Sequence, residues 1–192
     1  CKGSFLMDNL YLSTTFIPDN KPLREALELC NKAEIKSVEI GSNHCFEENY
    51  DYLVNYPFNY LVHNYYPIPR ESFVLNIASF DTNIRSRSIQ HIKLAIDVCN
   101  EINSQLYTFH PGFLTDPKGS NNSDQIYDFQ WDKNQLSNSN YAKAKDLMYK
   151  ALNEVIKYAH SKHIKIAIET EGSFFKKDHL LMQRPEEYQE FM

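Results

Sequence analysis

The apolar positions of this chain switch repeatedly between two periods. Leu10-Tyr11-Leu12-Ser13-Thr14-Thr15-Phe16 reads as a first strand. From Pro22 the apolar residues fall at helical spacing, at Leu23, Ala26, Leu27, Cys30 and Ala33. Proline suits the first turn of such a helix, where no hydrogen bond is lost. Ser37-Val38-Glu39-Ile40-Gly41 predicts the second strand, followed by a short helix near Glu47 to Val54. Tyr60-Leu61-Val62-His63 predicts the third, stopped by Pro67 and Pro69. The stripe Ile89, Ile92, Ile96 and Cys99 predicts a helix from Ile84 to Ile102. Leu106-Tyr107-Thr108-Phe109-His110 reads as the fourth strand, ended by Pro111-Gly112. Ala144, Leu147, Met148, Ala151, Leu152, Val155 and Ala159 line one face of a helix expected over Tyr141 to Ser161. Ile164 to Glu169 is the fifth strand, and Pro185-Glu186-Glu187 looks like the start of another helix. The stretch Phe113 to Asn140, rich in Asn, Ser, Asp and Gly, reads as a long loop.

Strands that alternate with helices imply an α/β fold with a parallel sheet and crossover helices. Two architectures satisfy that pattern, an open doubly wound sheet and a closed (β/α)8 barrel. No glycine-rich phosphate-binding turn follows the first strand, and the chain holds only five glycines, which removes the main nucleotide-binding signature. A barrel needs eight strands and typically about 250 residues. Five strands in 192 residues are therefore expected to be about the first five βα units of one barrel domain, C-terminally incomplete.

Charge and composition narrow the partners. The net charge of −5 carries no Lys/Arg block, so no broad nucleic-acid or membrane surface is expected. No apolar run reaches the length of about 18 residues that a membrane-spanning helix needs. The four cysteines show no CxxC or zinc-ribbon spacing. Cys30 and Cys99 lie on helical stripes and read as small core residues, which makes a reducing cytoplasm the expected location.

Three polar residues occupy equivalent places. His63 ends the third predicted strand, His110 the fourth and Glu169 the fifth. In a barrel those ends open onto the face where catalytic loops gather, and consecutive strands are neighbours. Imidazole nitrogen and carboxylate oxygen suit a divalent ion such as Zn2+, Mn2+, Co2+ or Mg2+, and three such ligands leave positions open for water or substrate.

His63-Asn64-Tyr65-Tyr66, with Leu75-Asn76-Ile77-Ala78-Ser79 and Arg87-Ser88-Ile89, resembles a signature of endonuclease IV-type apurinic endonucleases. Phe109-His110-Pro111-Gly112 resembles their next motif, and Ile166-Ala167-Ile168-Glu169-Thr170-Glu171-Gly172 looks like the strand that ends in their bridging glutamate. The same strand pattern is shared with the related sugar isomerases and epimerases, so the likeness is to the xylose isomerase-like barrel superfamily. Two departures turn the expectation from DNA repair. After the second strand stands Glu39-Ile40-Gly41-Ser42-Asn43-His44, which is similar to the sugar-isomerase branch. Thr170-Glu171 follows the glutamate where the endonucleases more usually have Asn-Thr.

The resemblance implies a metal-dependent isomerase or epimerase of a sugar or sugar phosphate that works through an enediolate. His63, His110 and Glu169 would hold the metal, with Glu169 also the catalytic group. Glu39, His44 and Tyr65 are expected to touch the sugar. The length of the loop Phe113 to Asn140 and its aromatics give two expectations, that Trp131 or Phe129 folds over the pocket or that they pack against the helix starting at Tyr141. An apurinic endonuclease, or a barrel that binds sugar without catalysis, is the alternative.

Overall fold

The structure is a computed structural model, and it describes residues 10–117, 130, 133–169, 181–182 and 185–190. Five strands are present among the described residues: β1 (Leu12–Ser13), β2 (Ser37–Ile40), β3 (Asn59–His63), β4 (Leu106–Phe109) and β5 (Lys165–Ile168). Between them run α1 (Leu23–Lys32), α2 (Thr82–Glu101) and α3 (Asn138–Ser161), and α4 (Pro185–Gln189) follows β5. The strands form one sheet in the order β1-β2-β3-β4-β5, parallel at the pairings of β1 with β2, β2 with β3 and β3 with β4. That order separates the two architectures left open by the periodicity. A doubly wound sheet reverses its strand order at a switch point, whereas a barrel adds each strand beside the last. The strictly sequential order is that of a (β/α) barrel.

One compact unit consists of Cys1–Ser72, Lys93–Phe109 and Ala159–Ala167, and so contains nearly all of the sheet. Its core follows the period of two expected for strands. Val38, Ile40, Tyr60, Val62, Tyr107 and Phe109 are buried, beside Leu23, Ala26, Leu27 and Cys30 of α1. The alternate positions Glu39, Leu61, His63 and Thr108 are only half-buried. The second unit consists of Phe73–Ile92, His110–Tyr158 and Ile168–Met192. Its core includes Ile77, Ile92, Ala144, Met148, Leu152 and Val155, all fully buried.

Several boundaries differ from the sequence reading, for local reasons. The first strand is two residues long, because Thr14 to Phe16 turn into a 3-10 helix. The Thr14 hydroxyl accepts the Gly41 N–H at 2.9 Å and bonds His44 Nε2 at 2.7 Å. A side chain that takes over backbone and neighbouring partners in this way competes with the ladder. Gly41 is needed there, since a Cβ would collide with the Thr15 side chain. The short helix expected near Glu47 to Val54 is a 3-10 helix at Asp51–Asn55, opened by Asn49 Oδ1 accepting the Asp51 N–H at 2.7 Å. The long loop carries a further 3-10 turn at Lys133–Gln135, and α3 begins at Asn138 rather than Tyr141.

Candidate metal centre

His63 is the last residue of β3 and is half-buried. Its Nδ1 stands 2.7 Å from Thr108 Oγ1 on β4, where the register pairs the two residues directly. Thr108 can accept the Nδ1 proton, which fixes the tautomer and leaves Nε2 with its lone pair for an ion. A hydrogen bond of this kind is the usual support of a ligating imidazole. The chain then turns sharply. Asn64 takes a left-handed conformation (φ 48°), donates its N–H to the Thr108 carbonyl at 2.7 Å and accepts from the Tyr107 hydroxyl at 2.6 Å. Asparagine tolerates that region better than most residues.

His110 directly follows β4, and Glu169 directly follows β5. His110 Nε2 lies 4.0 Å from Glu169 Oε2. That separation is too long for a hydrogen bond. One ligand atom each from His63, His110 and Glu169 lies within 4.8 Å of the others, and this is the group of three metal-capable side chains found among the described residues. Atoms bound to one ion at about 2 Å stand about 3–4 Å apart. Small side-chain rotations therefore let the three share an ion, and two imidazoles with one carboxylate are a donor set that divalent zinc, cobalt or manganese accepts.

The other expected contacts are placed as follows. Glu39, half-buried on β2, accepts a hydrogen bond from Ser13 Oγ of β1 at 3.1 Å. His44 is buried, and its Nε2 is taken by Thr14. Burial holds its pKa below the usual histidine value, against the opposing pull of a hydrogen bond with the Lys21 backbone and of the Glu47 charge. Tyr65 is half-buried with its N–H donated to Ser42 Oγ at 3.2 Å. Trp131 and Phe129 lie outside the described residues.

Sequence reasoning passed over Thr108 and Asp116. Thr108 had a signal, since it lies two residues before His110 and so shares its strand face. Asp116 had none. It sits in a loop and accepts from residues 37 and 40 positions earlier in the chain, Ser79 and Asn76. No helix among the described residues is long and apolar enough to cross a membrane.

Comparison with known proteins agrees with the barrel fold. The family model described as xylose isomerase-like TIM barrel matches residues 23–192, and the chain belongs to that family. No protein of curated function matches the sequence. Among solved structures, a D-tagatose 3-epimerase-like protein is similar with a TM-score of 0.66 at 20% identity, over 94% of this chain and 58% of that one. An L-ribulose 3-epimerase follows at 0.54 and 9% identity, over 84% and 49%. A D-allulose 3-epimerase from Methylomonas sp., solved with D-allulose, gives 0.53 and 14%, over 88% and 51%. This chain thus spans about half to three-fifths of the length of these structures, and at such identities the likeness is one of fold.

Proposed function

We propose that this protein is a divalent-metal-dependent isomerase or epimerase of a sugar or sugar phosphate, working through an enediolate. The observation that carries the reading is the gathering of His63, His110 and Glu169 at the C-terminal ends of three consecutive strands. Chemistry in barrel enzymes is sited at that end. The three similar solved structures named above, two sugar 3-epimerases and a protein like one, favour the sugar branch of the family over DNA repair.

His63, His110 and Glu169 would hold the ion. Once bound, it supplies Lewis acidity that polarises a carbonyl and acidifies the neighbouring C–H. Thr108 keeps the His63 ring in one tautomer and orientation. Glu169, with 43% of its side chain accessible against 16% for His110, would also take up or return a proton at the carbon beside the carbonyl. Glu39 offers a carboxylate oxygen to a sugar hydroxyl, and Tyr65 a phenol ring to the sugar face.

The test is conversion of ketohexoses, aldoses and their phosphates by the full chain with Mn2+, Co2+ or Zn2+. Interconversion at C2 or C3 is expected, with turnover in His110→Ala reduced at least about a hundredfold, as loss of a metal ligand should cost at least what loss of its supporting partners does. Incision of abasic DNA that His110→Ala abolishes, without sugar conversion, would replace this reading with the endonuclease one.

A further inference from the structure

The segment that carries His110 is held by a side chain distant in sequence. Asn76 and Ser79 are both fully buried. Asn76 Oδ1 accepts two backbone N–H groups, from Ala78 at 3.0 Å and from Phe113 at 3.0 Å. Its Nδ2 donates to Asp116 Oδ1 at 2.9 Å, and its own N–H is held by Ser88 Oγ at 2.9 Å. The second oxygen of Asp116 accepts from Ser79 Oγ at 2.5 Å. Between His110 and these partners stands Gly112, with φ +100°. A Cβ there would collide with Asn76 Oδ1, so only glycine lets the backbone approach the amide this closely.

We propose that Asn76 and Asp116 are positioning residues for His110, a clamp of amide and carboxylate that fixes the direction in which the imidazole leaves the end of β4. The inference rests on the reading of His110 as a metal ligand. Its logic is one of reach. Asn76 pins the Phe113 amide three residues beyond His110, and Asp116 pins Asn76, so the short Pro111-Gly112 link has both ends held. A clamp made only for loop stability would be indifferent to the ion. A clamp that aims His110 sets the metal affinity, because the hydrogen-bonded groups behind metal ligands change affinity by about 10- to 100-fold.

The orientation of each bond gives a reciprocal test. Asn76→Asp keeps the shape and the acceptor for Phe113, but it loses the donor to Asp116 and sets two carboxylates against each other. Asp116→Asn added to it restores a donor, so Asn76→Asp with Asp116→Asn rebuilds the bond between the two side chains in reverse and keeps the others. The full chain and its variants are titrated with Co2+ alone, read by visible absorption, with circular dichroism to check the fold. Asn76→Asp is expected to bind Co2+ about tenfold or more weakly with an altered spectrum, and the double variant to recover both. Should Asn76→Asp fail to fold, Ser79→Ala removes one bond to Asp116 and is expected to weaken Co2+ binding about two- to fivefold on the same basis. Unchanged affinity and spectrum in the folded single variant, or a folded double variant without recovery, would overturn the positioning role alone. An unsubstituted chain that binds no Co2+ would sink the metal reading and this inference together.

Discussion

At the scale of single residues, His44 shows how a neutral imidazole can be built into a fold. It is 3% exposed, its Nε2 holds the Thr14 hydroxyl, and the same hydroxyl holds the Gly41 N–H. Burial lowers its pKa from 6.5 in the folded chain. The unfolded chain therefore takes up a proton first as pH falls. The stability tied to neutral His44 is complete above about 6.5 and is lost as pH falls from there through the lowered folded value. Urea midpoints measured at pH 7.5 and pH 5 should fall for the natural chain and fall less for His44→Gln, whose amide can still bond Thr14 but does not titrate. Parallel pH dependence in the two proteins would refute the account. The sequence placed His44 after the second strand without revealing this bond, because Thr14 is 30 residues away. A strand pattern over Leu10 to Phe16 hides the hydroxyl that breaks it.

At the scale of elements, three helices end in the same way. The N–H of Ile35 bonds the Cys30 carbonyl, that of Ser104 the Cys99 carbonyl and that of Ile164 the Ala159 carbonyl, at 3.0, 2.8 and 3.0 Å. Each closes a Schellman turn whose left-handed residue is Glu34, Asn103 or His163, with φ of 57°, 57° and 59°. Glycine is the usual occupant of that position. A chain with five glycines leaves the three turns to other residues. A non-glycine residue there costs about 1–2 kcal/mol, partly offset on replacement by the extra freedom glycine brings to the unfolded chain, about 0.4–1 kcal/mol. Glu34→Gly and His163→Gly are thus expected to stabilise by about 0.5–1 kcal/mol each. Asn103→Gly should gain least, because asparagine already tolerates the region, and Glu34→Ala should gain nothing. Thermal unfolding of the four variants checks the order. Equal effects of glycine and alanine at position 34 would contradict it. These helix ends were legible only to within a few residues. Periodicity marks the buried stripe of α2 through Ile92, Ile96 and Cys99, but the stop signals of a glycine are missing from its end.

At the scale of the whole molecule, the sheet order and the candidate ligands were legible together, and for one reason. Parallel strands added in sequence put every strand's C-terminal residue at the same end, so the positions of His63, His110 and Glu169 follow from counting to the end of three apolar runs. What counting cannot supply is the support behind them, Thr108 across a strand pair and Asp116 across two loops, since those contacts depend on register and loop path. The metal reading has a consequence that needs no substrate. An ion that binds only the folded chain stabilises it by RT ln(1 + [M]/Kd), about 2.7 kcal/mol at a hundredfold excess over Kd. Zn2+ or Co2+ should therefore raise the unfolding temperature by several degrees, and a chelator should reverse the rise. Mg2+ should do less, because it prefers oxygen ligands to imidazole. The shift should largely vanish in His63→Ala, His110→Ala and Glu169→Gln. His160→Ala serves as the control, since that exposed residue in the last turn of α3 is no part of the group. If the three ligand variants keep the same Zn2+ shift as His160→Ala, the ion is binding elsewhere, and the strand-end histidines and glutamate are not its site.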